Sequence, residues 1–220
     1  MRNPVLVARL LWKTILLAAD LKRLDHVLAL NALVMQLRTP EDERQFLDDL
    51  RGRMPEAEDL PTPRFRFTEA EIEQLATQPA HTLGGAYGRF MLTHGLTPEA
   101  LPSKTEGSTM ERAIAHLYDT HDLWHVATGF GVDPAGEAAL QAFYLAQMRA
   151  FLPLLVLPAI LINTGLSAYE DRYRRMDAIV AGWLAGRAAR PLFGVDWSSL
   201  LDRPLQQVRS DLGLGLREVA

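Results

Sequence analysis

Apolar residues recur at helical spacing from about Val5 to Leu37 and through much of the chain beyond, while the strict apolar/polar alternation of half-buried strands is absent. The pattern predicts a mainly α protein. Thr39-Pro40-Glu41 and Thr97-Pro98-Glu99 each place a capping threonine before a proline at a first helical position, so each predicts a helix start. Thr68 is placed to cap a short helix over residues 69–78. Residues 54–65, MPEAEDLPTPRF, carry Pro55, Pro61 and Pro63 and read as an extended loop. No internal repeat is visible. The first twenty residues resemble a signal peptide in outline, but Arg9 and Lys13 interrupt the apolar region, so an amphipathic helix is the better reading. The most apolar stretch, residues 150–166, is uncharged yet broken by Pro153, Pro158 and Asn163. It is marginally short for a membrane span and reads as core, or as a surface that touches membrane or holds a lipid tail.

A second set of punctuation marks lies further along. Ser108-Thr109-Met110-Glu111 has the form of a capping box, which predicts a helix beginning near Thr109 and ending at Gly129. Asp133-Pro134 then restarts a helix, so the expected unit is an αα-hairpin. His121 and His125 lie about 40° apart on the first helix and Asp122 about 100° from His121, so the three share a face. His125 precedes the turn by four residues and Glu137 follows Asp133 by four, which in antiparallel helices sets them at nearly one height. The hairpin therefore predicts a metal site of His121, Asp122, His125 and Glu137.

Composition narrows the alternatives. With 220 residues and 48% hydrophobic content, one substantial core accounts for the chain, and a single-domain helical bundle over 1–220 is the expectation. Residues 1–78 form its N-terminal helical part. There is no cysteine, which removes disulfides, thiolate metal sites and a cysteine nucleophile. Any metal must use nitrogen and oxygen ligands. Net charge is −4, and residues 41–59 hold eight acids against three arginines, leaving the remainder close to neutral. Neither balance provides the concentrated basic face that a nucleic-acid partner requires.

Two imidazoles and two carboxylates form a borderline-hard donor set that suits a divalent metal, Zn first, with Fe, Mn or Co also accommodated. Metal-binding histidines need an acceptor for the second ring nitrogen, and Asp119 and Tyr118 are the nearby candidates. An HExxH metalloprotease would need Glu after the first histidine as general base, where this chain has the shorter Asp122. A metal-dependent HD-type hydrolase would need a further upstream histidine, from His81 or His94, and a downstream Asp171 or Asp177. The cluster Tyr169, Arg172, Tyr173, Arg174 and Arg175 is balanced by nearby acids and reads as a solvated helix face. Trp12, Trp124, Trp183 and Trp197 read as core or interfacial residues.

The segment His121 to Glu137, HDLWHVATGFGVDPAGE, resembles the HDxxHx(11)E signature of the Coq4 family of ubiquinone-biosynthesis proteins. Thr82-Leu83-Gly84-Gly85-Ala86-Tyr87-Gly88-Arg89-Phe90 is similar to a segment upstream of that signature, and residues 197–209, WSSLLDRPLQQVR, resemble the family's C-terminal ending. The likeness covers about 80–213. It departs at His116-Leu117-Tyr118, where members commonly carry Arg-Tyr-Arg, and at Gln141 and Ala142-Phe143-Tyr144. The resemblance implies a helical, membrane-peripheral, cytoplasmic protein of bacterial type. It implies a divalent metal on His121, Asp122, His125 and Glu137 as catalytic residues, and a polyprenylated aromatic or other isoprenoid lipid as ligand. The implied activity is metal-dependent C1 decarboxylation, lyase or oxidative, of a 4-hydroxy-5-polyprenylbenzoate-type precursor. Phe143, Leu145, Phe151, Leu154, Leu155 and Ile160 are the candidates for lining a tail groove. A homodimer and other quinone-biosynthesis proteins are the implied protein partners. The alternative is a non-catalytic scaffold that binds lipid precursors and organises a quinone-biosynthesis complex.

Overall fold

A computed structural model describes residues 3–53, 66–102 and 107–215. The proline-rich segment 54–65 lies outside the described residues. Ten α-helices cover most of the described chain: α1 (Pro4–Ala19), α2 (Leu24–Leu37), α3 (Pro40–Arg53), α4 (Glu69–Thr77), α5 (Leu83–His94), α6 (Thr109–Thr128), α7 (Pro134–Gln147), α8 (Pro153–Ser167), α9 (Arg172–Ala188) and α10 (Leu205–Asp211). Among the described residues no strand forms. The one β-type pairing is an isolated antiparallel bridge between Thr82 and Pro204.

The helix boundaries follow the local chemistry. The apolar run from Val5 divides at Asp20, whose carboxylate accepts the Lys22 amide and turns the chain between α1 and α2. Thr39 starts α3 by exchanging bonds with Asp42, and Thr68 and Ser108 start α4 and α6 through capping boxes with Glu71 and Glu111. Two expectations are corrected. Thr97-Pro98 opens only a single 3-10 turn, Pro98–Ala100, because Pro102 forces Leu101 into extended geometry and no side chain caps the start. Pro158 does not break the apolar stretch but sits inside α8 at an exposed position, as does Leu154, whose carbonyl it leaves without a helical donor.

The chain forms two compact units, each built from discontinuous segments. The first takes Met1–Asp49 and Asp133–Arg187, the second Leu50–Val132 and Ala188–Glu218. In the first, Leu10 and Leu17 of α1, Leu30, Leu33 and Val34 of α2, Ala138 of α7, and Leu155, Val156, Ala159 and Ile160 of α8 make one core. Each buried leucine adds roughly 2 kcal/mol relative to exposure. Arg175 corrects the expectation of a solvated basic face. It is only 4% exposed, with Nη1 donating to Asn163 Oδ1 and Thr164 Oγ1 and an ion pair to Asp171. Arg172 is half-buried, stacked between the rings of Tyr169 and Tyr173. Trp12 and Trp183 are exposed, whereas Trp124 and Trp197 are fully buried.

The second unit packs Leu83, Tyr87 and Met91 of α5, Met110, Leu123 and Trp124 of α6, and Phe193, Trp197 and Val208 of the C-terminal segment out of solvent. α4 and α5 approach closely because Gly88 carries no side chain: a Cβ there would lie 2.3 Å from the Ala76 nitrogen. In the first unit Gly182 of α9 does the same against α7, where a Cβ would lie 1.9 Å from the Ala139 carbonyl oxygen.

That contact is testable against Gly165 of α8, whose Cβ would meet nothing within 4 Å. Gly182→Ala is expected to destabilise by about 2 kcal/mol or more through overpacking, and Gly165→Ala to gain up to about 1 kcal/mol from helix propensity. Thermal and urea melts of the two variants check this. Equal stability of Gly182→Ala and the parent would show that α9 does not press on α7.

Candidate metal centre

The last two turns of α6 carry the donor set. His121, Asp122 and His125 each offer one ligand atom, and these atoms lie within 4.8 Å of one another. His125 is 1% exposed and the other two are half-buried, so the cluster opens outward from a buried base. His125 Nδ1 lies 2.9 Å from the Phe130 carbonyl oxygen, so the proton belongs on Nδ1 and the Nε2 lone pair is left available. That Nε2 faces His121 Nε2 at 3.2 Å. Two imidazole nitrogens bound to a tetrahedral metal at about 2.0–2.1 Å would stand about 3.3 Å apart, so the observed pair has the spacing of one tetrahedral edge. The donors present therefore fit a divalent ion.

The Phe130 carbonyl reaches His125 because the chain doubles back at once. Gly129 takes left-handed geometry, φ 81°, as its amide donates to the His125 carbonyl at 2.8 Å and ends α6. Thr128 Oγ1 donates back to the Trp124 carbonyl and accepts the Phe130 amide. Neither Asp119 nor Tyr118, the acceptors expected from sequence, is the partner of His125 Nδ1. Asp119 instead pairs with Arg66 at 3.4 Å, and burial pushes the Tyr118 phenol up to about 12. Arg66 also donates to the Pro98 and Leu101 carbonyls, so it ties that loop to α6.

α5 supplies the wall. Phe90 stacks on the His125 ring with centroids 5.8 Å apart and planes at 25°, and His94 meets the Phe90 ring edge-on. Tyr87, one turn earlier, is 4% exposed, and its phenol is held well above its ordinary range by burial first and then by the negative charges of Asp122 and Asp119. It stays protonated and can only donate to a neighbouring carboxylate. Tyr87 and Phe90 lie in a motif singled out from sequence, but their place beside the histidines was not legible there.

The C-terminal segment holds both helices. Carbonyls of Arg203 and Leu201 accept the first amides of α5, from Leu83 and Gly84, at 2.9 and 2.8 Å, and the Leu205 amide donates to His81. Arg209 reaches the other helix: Nε donates to the Ala127 carbonyl at 2.9 Å and Nη2 to Val126 at 3.0 Å. Burial lowers the Arg209 pKa, leaving a charged guanidinium on the last carbonyls of α6.

The structure thus brings together three of the four expected ligands. Glu137 stands half-buried in the first turn of α7, four residues after the capping Asp133, and belongs to the first unit. The expected tail residues divide. Phe143 is fully buried and Leu155 and Ile160 lie in the core, while Leu145, Phe151 and Leu154 line a cavity of about 400 Å³ within the first unit, together with Leu37, Met148, Arg38 and Arg149.

The sequence model of the family described as "Coenzyme Q (ubiquinone) biosynthesis protein Coq4" matches residues 26–217, so the likeness takes in α2 and α3 as well as the three motifs. Ubiquinone biosynthesis protein COQ4, mitochondrial, of Eremothecium gossypii is 29% identical over 175 residues, 78% of this chain and 52% of the relative. The corresponding protein of Sclerotinia sclerotiorum is 28% identical over 165 residues, 71% of this chain and 57% of the relative. The chain spans about half the length of the curated relatives it matches. In fold, it is similar to the crystal structure of a "Putative ubiquinone biosynthesis protein" from Nostoc punctiforme, with a TM-score of 0.78 at 22% identity, covering 98% of this chain and all of the other. With the family's sequence model matched from α2 to the C-terminal segment, this chain belongs to the Coq4 family of coenzyme Q biosynthesis proteins.

Proposed function

We propose that the protein is a metal-dependent carboxy-lyase of ubiquinone biosynthesis, which removes the C1 carboxylate from a 4-hydroxy-5-polyprenylbenzoate-type precursor. The observation that carries this reading is the His121–His125 pair, with facing Nε2 atoms 3.2 Å apart and His125 oriented by the Phe130 carbonyl, inside the family's signature. His121, Asp122 and His125 would hold the ion, with Glu137 as the fourth ligand. Zn is the first choice, and Fe, Mn or Co suit the same donors. When bound, the ion supplies Lewis acidity toward a phenolate or carboxylate oxygen.

The chain's own contribution is to orient and to exclude water. A ring carboxylate para to a phenolate leaves once C1 becomes sp³, so a proton adds at C1, the C1–carboxylate bond breaks, CO₂ departs and that electron pair restores the aromatic ring. An oxidative form would put an oxygen on C1 in place of that proton and would need an external oxidant. Phe90, stacked behind His125, gives the donors a dry wall. The cavity lined by Leu145, Phe151 and Leu154 is within the usual size range for ligand sites and supports an apolar tail there.

Membrane association is the companion proposal. No helix of the described residues is long and apolar enough to cross a membrane. Yet in the first unit Trp12 and Ile15 of α1, Leu161 and Leu166 of α8, and Tyr173 and Trp183 of α9 are all between 43% and 81% exposed. Apolar side chains on this scale support a surface that lies against lipid, or against a second copy or other quinone-biosynthesis proteins.

Purified protein is expected to carry about one divalent ion per chain by elemental analysis and to release ¹³CO₂ from a short-tailed, carboxyl-labelled prenyl hydroxybenzoate. His121→Ala is expected to lose both ion and turnover. Full metal content and full CO₂ release in that variant would overturn the reading, and metal without turnover in the parent would support the scaffold alternative. In liposome flotation, Leu166→Glu combined with Trp183→Glu is expected to reduce membrane-bound protein several-fold, and unchanged flotation would remove lipid as the partner of that surface.

A further inference from the structure

We infer that Arg209 is a positioning residue for His125, acting through the end of α6; this rests on the metal reading above only for its consequence in metal affinity. An α-helix leaves its last four carbonyls without helical donors. In α6 the His125 carbonyl takes the Gly129 amide, and the Val126 and Ala127 carbonyls take the forked guanidinium of Arg209 at 3.0 and 2.9 Å. Val126 is 6% exposed and Ala127 fully buried, so no other donor replaces a lost guanidinium without rearrangement.

The two residues that Arg209 grips lie between His125 and the turn that carries its acceptor. His125 keeps its Nδ1 proton on Phe130 only while residues 126–130 hold their path, and that path includes a left-handed residue, Gly129, and is held from outside the helix by Arg209. Loss of the guanidinium frees residues 126–127 to fray, moves the Phe130 carbonyl and releases the imidazole to rotate. Arg209 touches no ligand atom. Its effect reaches the donors through backbone.

Co²⁺ titration followed by visible absorption, together with ¹⁵N NMR of the His125 ring in metal-free protein, tests this on the full chain. Arg209→Gln is expected to weaken Co²⁺ binding roughly tenfold, within the usual range for partners of ligating histidines, and to lose the slowly exchanging Nδ1–H signal of His125. Gln207→Ala is the control. The Gln207 side chain donates to Asp211 at the surface of the same segment and reaches neither helix end, so both readouts should match the parent. If Arg209→Gln does not fold, Arg209→Lys decides, since an amine can hold one carbonyl where the guanidinium holds two, and an intermediate affinity is expected. A parent-like Co²⁺ affinity and an unchanged His125 signal in the folded Arg209 variant would overturn the inference, even if melting temperature falls. Should the parent bind no Co²⁺, the metal reading fails, and the His125 Nδ1–H signal alone still decides the role of Arg209.

Discussion

A helix end carries partial charge and unpaired backbone groups that must be satisfied somewhere, and in the second unit one segment satisfies two such ends. Leu201 and Arg203 offer carbonyls to the first amides of α5, and Arg209 offers N–H donors to the last carbonyls of α6. The same segment thereby registers the start of the helix that bears Tyr87 and Phe90 against the end of the helix that bears His121 and His125. Polarity sets which part of the segment can serve which helix. The free amides of an amino end need acceptors, which backbone carbonyls provide here, and the carbonyls of a carboxyl end are best met by a cation with several donors, a role for which arginine is better suited than lysine.

This pairing gives three separated sequence motifs a common cause. The glycine-rich run from Thr82 lets α5 begin against the C-terminal segment: Gly84 donates to the Leu201 carbonyl, and a Cβ on it would press on that same oxygen at 3.2 Å. Phe90 then falls beside His125, and Tyr87 near Asp122. The C-terminal motif ends on Arg209, and the HD signature sits in the turns that Arg209 closes. Each motif taken alone looks like a local feature, whereas together they describe the backbone and side-chain hydrogen bonds by which one segment ties α5 and the end of α6.

What was legible in the sequence was local. Ser108 with Glu111, Gly129, and Asp133 with Pro134 fixed both boundaries of α6 and the start of α7, because capping and left-handed termination act over three or four residues. The facing of His121 and His125 followed from helical periodicity. The failures are equally physical. The single turn at Pro98 was overread because the cost of Pro102 four residues later outweighs a good start signal. Pro158 was overread as a break because its exposed position in α8, which makes the missing bond tolerable, depends on packing. The Phe130 carbonyl has no side-chain signature at all, and the Arg209 contacts join residues 82 and 83 apart.

Charge bears on the composition of the proposed ligand set. The carboxyl end of a bare helix presents roughly half a negative charge, which would favour a cation bound near it. Here Arg209 occupies two of the oxygens from which that partial charge arises, so α6 lends less to a divalent ion than an uncapped end would. Two neutral imidazoles add none. Asp122 supplies one full negative charge, which leaves a dication in a half-buried setting uncompensated by one unit, and burial of net charge is expensive. A second carboxylate brings the site to neutrality. An anionic oxygen of a bound phenolate or carboxylate would bring the same unit of charge, so the three donors on α6 by themselves leave the site one charge short in a way that favours an anionic ligand.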